Sequence, residues 1–223
     1  MISTRAFVPT LQGQNWAHSL GKIVCVGRNY AEHAAELNNP VPEQPLLFIK
    51  PVTCAVPMGQ PLQLPQGRGE VHYETEIALL IGQPLQQAAA EQAMEALAGV
   101  GLALDLTLRG LQSELKKQGH PWERAKAWDG ACPLSEFVPA SRVDDWSALA
   151  LSLSINGELR QQGSAAQMLT PIAQLLSHIS ETFTLLPGDV VITGTPAGVG
   201  VLASGDQLQL SLQGLLEVET TVI

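Results

Sequence analysis

The sequence predicts an α+β fold, a β-rich set of mixed sheets with a few short helices. Three observations predict it. Most apolar stretches are short strand-length runs cut off by Gly or Pro, as at residues 22–27, 46–50 and 190–193. Helical segments are few and do not alternate strictly with strands, which argues against a doubly wound sheet. Residues 149–155 and 207–222 alternate apolar with polar side chains, the pattern of antiparallel strands with one wet face.

In chain order, residues 1–21 read as an N-terminal arm and 22–223 as a single domain. Residues 22–27 form a buried strand ending at Gly27. Arg28-Asn29-Tyr30 opens a short helix with Asn29 as N-cap, closed by Asn38-Asn39-Pro40. A Pro-rich connection leads to the strand 46–50, halted by Pro51, and 52–69 holds short strands and turns. Residues 71–81 enter the core as a strand, 86–97 form a helix ended by Gly99, and Asp105 closes the next strand. A second helix over 107–118 ends at Gly119. Asn156-Gly157 is a strong hairpin signal between 149–155 and 158–160. Thr170-Pro171 starts a helix that runs to about Phe183. Pro187-Gly188-Asp189 turns into the strand 190–193 and a glycine-rich loop, and a terminal hairpin crosses Gly214.

Composition limits function. With 45% hydrophobic and 15% charged residues the chain is globular, and 223 residues can bury a sizeable core. A net charge of -9 argues against nucleic-acid and anionic-membrane partners. Cys25, Cys54 and Cys132 are scattered and odd in number, which fits a reducing cytoplasm and small buried thiols. No basic segment followed by an apolar stretch opens the chain, so no signal peptide is expected.

The chemistry is expected at Glu74, Glu76 and Asp105. In a strand, residues two apart share a face, so His72, Glu74 and Glu76 line up, and the continuation Ile77-Ala78-Leu79-Leu80-Ile81 marks that strand as interior. Asp105 is flanked by apolar residues. Buried carboxylates need neutralising, and without a matching set of Lys or Arg in view an all-oxygen trio suits Mg²⁺ or Mn²⁺, with Ca²⁺ as a substitute. Glycosidic acid/base work ranks low, because carboxylates two apart on one strand cannot flank a substrate.

His33 and Glu36 are i and i+3, so they can touch; by spacing alone they read as an ordinary surface helix, and the functional reading is a base oriented by a carboxylate. Lys126 reads by default as solvated. The loop Gly194-Thr195-Pro196-Ala197-Gly198-Val199-Gly200 lacks the Gly-Lys-Ser/Thr ending of a P-loop, yet can offer backbone N–H groups and the Thr195 hydroxyl to an anion.

Taken jointly, Gly27-Arg28-Asn29-Tyr30 with His33 and Glu36, His72-Tyr73-Glu74-Thr75-Glu76, Asp105 through Arg109 with Gln112, Pro121-Trp122 with Lys126, Asn156-Gly157-Glu158 and Pro187-Gly188-Asp189 through Gly200 resemble the fumarylacetoacetate hydrolase family. The likeness covers nearly the whole chain from Lys22 and is nearest to short single-domain members acting on acylpyruvates or oxaloacetate. It implies a mixed β-roll, a homodimer, a catalytic domain over 22–223 and a divalent ion held by Glu74, Glu76 and Asp105. It implies catalytic roles for His33, Glu36 and Lys126, a mobile lid carrying His33, and substrate contacts from Arg28, Arg109, Gln112, Gly194 and Thr195. The implied activity is C–C hydrolysis of small 2,4-dioxo acids through an enolate that the ion stabilises. Oxaloacetate decarboxylation or keto–enol tautomerisation, or isomerisation of longer oxo-diacids, is the alternative, and a non-catalytic metal-stabilised binder the distant one. One departure is Gly110, where many members carry Asp, which removes a possible carboxylate beside Arg109.

Overall fold

The computed structural model describes residues 7–37 and 39–223. The expected closure of the first helix at Asn38 and the first six residues of the arm lie outside them. Residues 10–11 and 14–15 of the arm pair as a small hairpin, and Gln12 N bonds Phe137 O at 3.0 Å, so this segment is pinned to the body.

The main sheet is built from β1 (Ile23–Gly27), β2 (Leu46–Lys50), β3 (Ala55–Pro57), β5 (Thr75–Ile81), β6 (Leu97–Leu104), β7 (Cys132–Leu134) and β10 (Val190–Ile192). Its order is β2-β1-β10-β5-β6-β7-β3, with residues 138–139 added beside β6. The β1–β10 and β7–β3 pairs are parallel and the others antiparallel, so the sheet is mixed, as expected. All seven residues of β5 are buried. A second sheet has the order β9-β8-β11-β12, from β8 (Ala150–Ile155), β9 (Glu158–Ser164), β11 (Gln207–Leu212) and β12 (Leu216–Thr221). The Asn156-Gly157 hairpin forms as predicted, both residues taking positive φ (54° and 79°). The one-sided burial of β8 and β11 turns Leu151, Leu153, Leu208 and Leu210 into the core.

Among the described residues five α-helices close the body: α1 (Ala31–Glu36), α2 (Ala90–Glu95), α3 (Arg109–Gln118), α4 (Glu123–Lys126) and α5 (Ile172–Thr182). None is long and apolar enough to cross a membrane. Two expectations shift. The 86–97 helix shrinks to α2 because Gln87 and Ala88 give their N–H groups to Ser180 across the fold, and Gly99 sits inside β6. A Cβ at Gly99 would lie 2.7 Å from Val138 O, so glycine serves close strand packing there rather than helix termination. Residues 107–108 pair with β4 (Val71–Tyr73) as a short strand, so α3 starts only at Arg109; it ends at Gly119 in the left-handed region (φ 66°), as predicted.

Candidate active site

The three carboxylates converge where the chain changes sheets. β4 ends at Tyr73 and β5 begins at Thr75, in different sheets, so the 71–81 run is two strands and not one. His72 therefore does not join Glu74 and Glu76; it lies half-buried outside the cavity. Asp105 follows β6, beside β5, and its N–H donates to Glu74 O at 2.8 Å. One carboxylate oxygen from each of Glu74, Glu76 and Asp105 lies within 4.8 Å of the other two, and all three residues are buried.

The expectation that no cations match these carboxylates is overturned. Lys126, at the end of α4, lies 2.7 Å from Glu74 and also pairs with Asp105. Arg109, opening α3, pairs with Glu74, and Lys50, ending β2, lies 2.8 Å from Asp105 Oδ1. These residues are far apart in sequence, so only the fold brings them together. Burial favours the neutral form of Glu74, but Lys126 and Arg109 outweigh it and hold the carboxyl well below the usual range. Burial likewise pulls down the Lys126 ammonium, and Asp105 and Glu74 outweigh it, leaving it raised.

Glu76 is the member left without a cation. It accepts Gly194 N–H at 2.7 Å, and no ion pair reaches it among the described residues. Burial, then Asp105 and Glu74, push its carboxyl well above the usual range. Asp105 Oδ1, though near Lys50, has no aligned hydrogen-bond donor. A buried unsatisfied carboxylate oxygen, a carboxyl short of positive charge and an all-oxygen donor set fit a hard divalent ion.

His33, expected at the border of its helix, is buried at 5% exposure and lines the same cavity. Its Nδ1 lies 3.5 Å from Glu36, whose carboxylate accepts Gly198 N–H at 3.1 Å. Burial lowers the His33 pKa; Arg109 adds to this and Glu74 and Glu36 oppose it. The imidazole is therefore neutral at pH 7. Asn29 is not the N-cap of α1. Its amide is buried and bonds Thr193 O at 2.9 Å and the backbone of Thr170, sewing the loop to the core, and Tyr30 begins the helix without a side-chain cap.

The cavity, of about 30 Å³, is lined by Arg28, Arg109, Gln112 and Thr195 together with His33 and Lys126. Arg28 has φ 63°, costly for a side chain with a Cβ, and its guanidinium bonds Asn39 at 3.0 Å. Arg109 is oriented by Glu74 and by Gln112 Oε1 at 2.7 Å, its Nε buried without a partner. At Gly110 an added Cβ would meet nothing within 4 Å, and Arg109 takes its orientation from Glu74 and Gln112. The Gly194 N–H is committed to Glu76 and does not line the cavity. The Thr195 hydroxyl donates to Thr75 O at 2.9 Å and accepts from Gln161.

Sequence reasoning passed over Lys50, Lys116 and Phe48, and gave Trp122, quoted beside Lys126, no role of its own. Phe48 and Trp122 pack edge to face at 6.0 Å, with Lys126 5.3 Å from the Phe48 ring and Lys116 5.1 Å from the Trp122 ring. Lys50 had a readable signal: a charged residue ending an apolar strand immediately before Pro51.

Comparison with known proteins identifies the family. The family profile for the fumarylacetoacetate (FAA) hydrolase C-terminal region matches residues 22–223. Oxaloacetate tautomerase YcgM of Escherichia coli is 51% identical over 209 residues, covering 91% of this chain and 95% of that protein. Human mitochondrial oxaloacetate tautomerase FAHD1 is 40% identical over 196 residues, covering 88% and 89%. The crystal structure of fumarylpyruvate hydrolase from Pseudomonas aeruginosa, in complex with Mn²⁺ and pyruvate, superposes with a TM-score of 0.92 at 36% identity, covering 98% of this chain and 96% of that one. Carboxylates, fold and full-length similarity lead to one assignment: the chain belongs to the fumarylacetoacetate hydrolase family.

Proposed function

We propose that the protein is a divalent-metal-dependent enzyme that interconverts the enol and keto forms of oxaloacetate. The observation that carries this reading is the charge of the cavity wall. Arg28, Arg109, Lys116 and Lys126 face Glu74, Glu76 and Asp105, so a bound divalent ion leaves the wall net positive and suited to a dianion. Two relatives named oxaloacetate tautomerases, each similar over most of its length, point the same way.

Glu74, Glu76 and Asp105 would hold Mg²⁺ or Mn²⁺, which supplies Lewis acidity against the negative charge developing on the 2-oxo oxygen. Arg109, fixed by Glu74 and Gln112, positions a substrate carboxylate. Neutral His33 takes the proton of the enol hydroxyl and returns it at C3, with Glu36 beside Nδ1 steadying the imidazolium between the two transfers. The buried setting keeps bulk water from competing for that proton.

Hydrolysis of acylpyruvates, the first expectation from sequence, stands second. The relative named fumarylpyruvate hydrolase supports it, and the same His33 would then activate water toward C4 while Lys126 steadies the oxyanion. The test follows the ultraviolet absorbance of freshly dissolved enol-oxaloacetate with Mg²⁺ or EDTA, beside acetylpyruvate and fumarylpyruvate. Metal-dependent ketonisation outpacing both cleavages is expected, and faster cleavage reverses the order.

Two results follow for His33. His33→Ala should lose roughly 10²–10⁴-fold in turnover, the usual worth of a positioned base, while calorimetry shows unchanged Mg²⁺ binding. Because only the neutral imidazole accepts a proton and its pKa is lowered, kcat/KM should rise with pH along a limb below the ordinary histidine value and be flat across neutrality. A limb that persists in His33→Gln assigns it to another group.

A further inference from the structure

Lys116 adds its charge to the cavity wall, but no step above assigns it a partner or a task. It is partly buried on α3 and forms no ion pair with any carboxylate among the described residues. Its ammonium sits 5.1 Å from the centroid of the Trp122 ring, which holds it at the wall. Arg28, which lines the same cavity, also has no carboxylate partner among the described residues and is braced by Asn39. Every other cation at the centre is engaged: Lys50 and Lys126 by Asp105, Lys126 and Arg109 by Glu74.

We propose that Lys116, seated on Trp122 beside Arg28, determines specificity by reading a second carboxylate at the far end of the substrate. The inference deepens the oxo-acid reading above and rests on it. Two unpaired cations in one partly desolvated wall repel each other, and an arriving anion removes that cost while gaining a charge-assisted bond. Burial and the positive charges of Arg28, Arg109 and Lys126 push the Lys116 ammonium down to about 8, with Glu74 opposing, which is the state expected of a cation awaiting its counter-ion. The site would thus distinguish dicarboxylic 2-oxo acids from monocarboxylic ones of equal length, and Lys126 and the carboxylates would play no part in that distinction.

The test is Lys116→Met, which keeps an unbranched side chain over Trp122 and removes the charge. On oxaloacetate, KM should rise about tenfold with kcat little changed, the pattern of lost uniform binding; on its 4-methyl ester both constants should stay as they were. Lys116→Arg should restore most of the preference. Binding is measured separately by titrating the Mg²⁺-loaded protein with 2-oxoglutarate and with 2-oxopentanoate, which differ only in the distal carboxylate. Wild type should favour the diacid about tenfold and Lys116→Met should bind the two alike. Equal losses on oxaloacetate and its ester, or a wild type without preference between the titrants, would overturn the assignment. If wild type turns over neither oxaloacetate nor its ester, the proposed reaction falls, and the titration pair alone still decides the subsite.

Discussion

Lys50→Met is expected to cost about 3–5 kcal/mol of stability, the penalty for breaking a buried ion pair from one side. Lys50 is fully buried, and its ammonium bonds Ala131 O at 3.0 Å and Lys126 O and lies 2.8 Å from Asp105. Methionine fills the space but leaves two buried carbonyls without that donor and Asp105 with Lys126 alone. Burial lowers the Lys50 pKa, yet Asp105 together with Cys132, Cys25 and Cys54 outweighs it and the ammonium ends raised. A cation with a raised folded value contributes fully below its unfolded value and loses that contribution only as pH climbs through the folded one. The deficit should therefore be constant from pH 6 to 9 in thermal melts, with a midpoint lowered by roughly 10 °C or more. Mg²⁺ gives Asp105 a new partner, so it should raise the variant's midpoint more than the wild type's. A variant that melts like wild type would remove Lys50 from the account.

Glu76→Gln should act in opposite directions on stability and activity. In the metal-free protein the Glu76 carboxyl is raised well above the usual range by burial and then by Asp105 and Glu74. Between the unfolded value near 4.3 and that raised value the native state binds the extra proton, so metal-free stability falls as pH rises through the window. Glutamine carries no charge to bury, and the variant without metal should melt a few degrees higher, about 3 °C or more, at the alkaline side of that window. Activity should drop about 10³-fold or more, since a Lewis acid contributes several kcal/mol to such a step. Wild type should release protons on taking up Mg²⁺ and gain midpoint with it; the variant should do neither. Retained metal-dependent turnover would exclude Glu76 from the ligand set.

How much of this was legible in the sequence depended on how local the cause was. The Asn156-Gly157 turn, the alternation in residues 207–222 and the apolar run 77–81 are short-range signals, and each forms the element it predicts. Helix ends were misread where distant partners take the backbone, as Ser180 does at Gln87 and Ala88. Glu74, Glu76 and Asp105 were visible because carboxylates inside apolar runs are rare. The pairing of Glu74 and Asp105 with Lys50, Arg109 and Lys126 was not, because the cations are far apart in sequence and only the fold gathers them. Asn29 had the composition of a cap and the burial of a core amide, and only tertiary packing separates those roles.

The loop between β1 and α1 sets neighbouring residues to opposite tasks. Arg28, in its left-handed conformation, lines the cavity, whereas Asn29, one residue on, is locked into the interior by Thr170 and Thr193. Inserting or deleting a single residue there would exchange the two, sending a guanidinium into the core and an amide into the cavity. The length of this connection is therefore expected to be fixed, whereas the proline-bearing stretch 40–45, exposed for much of its run, should tolerate insertion and deletion. Family members of unequal size should differ in the second segment and never in the first.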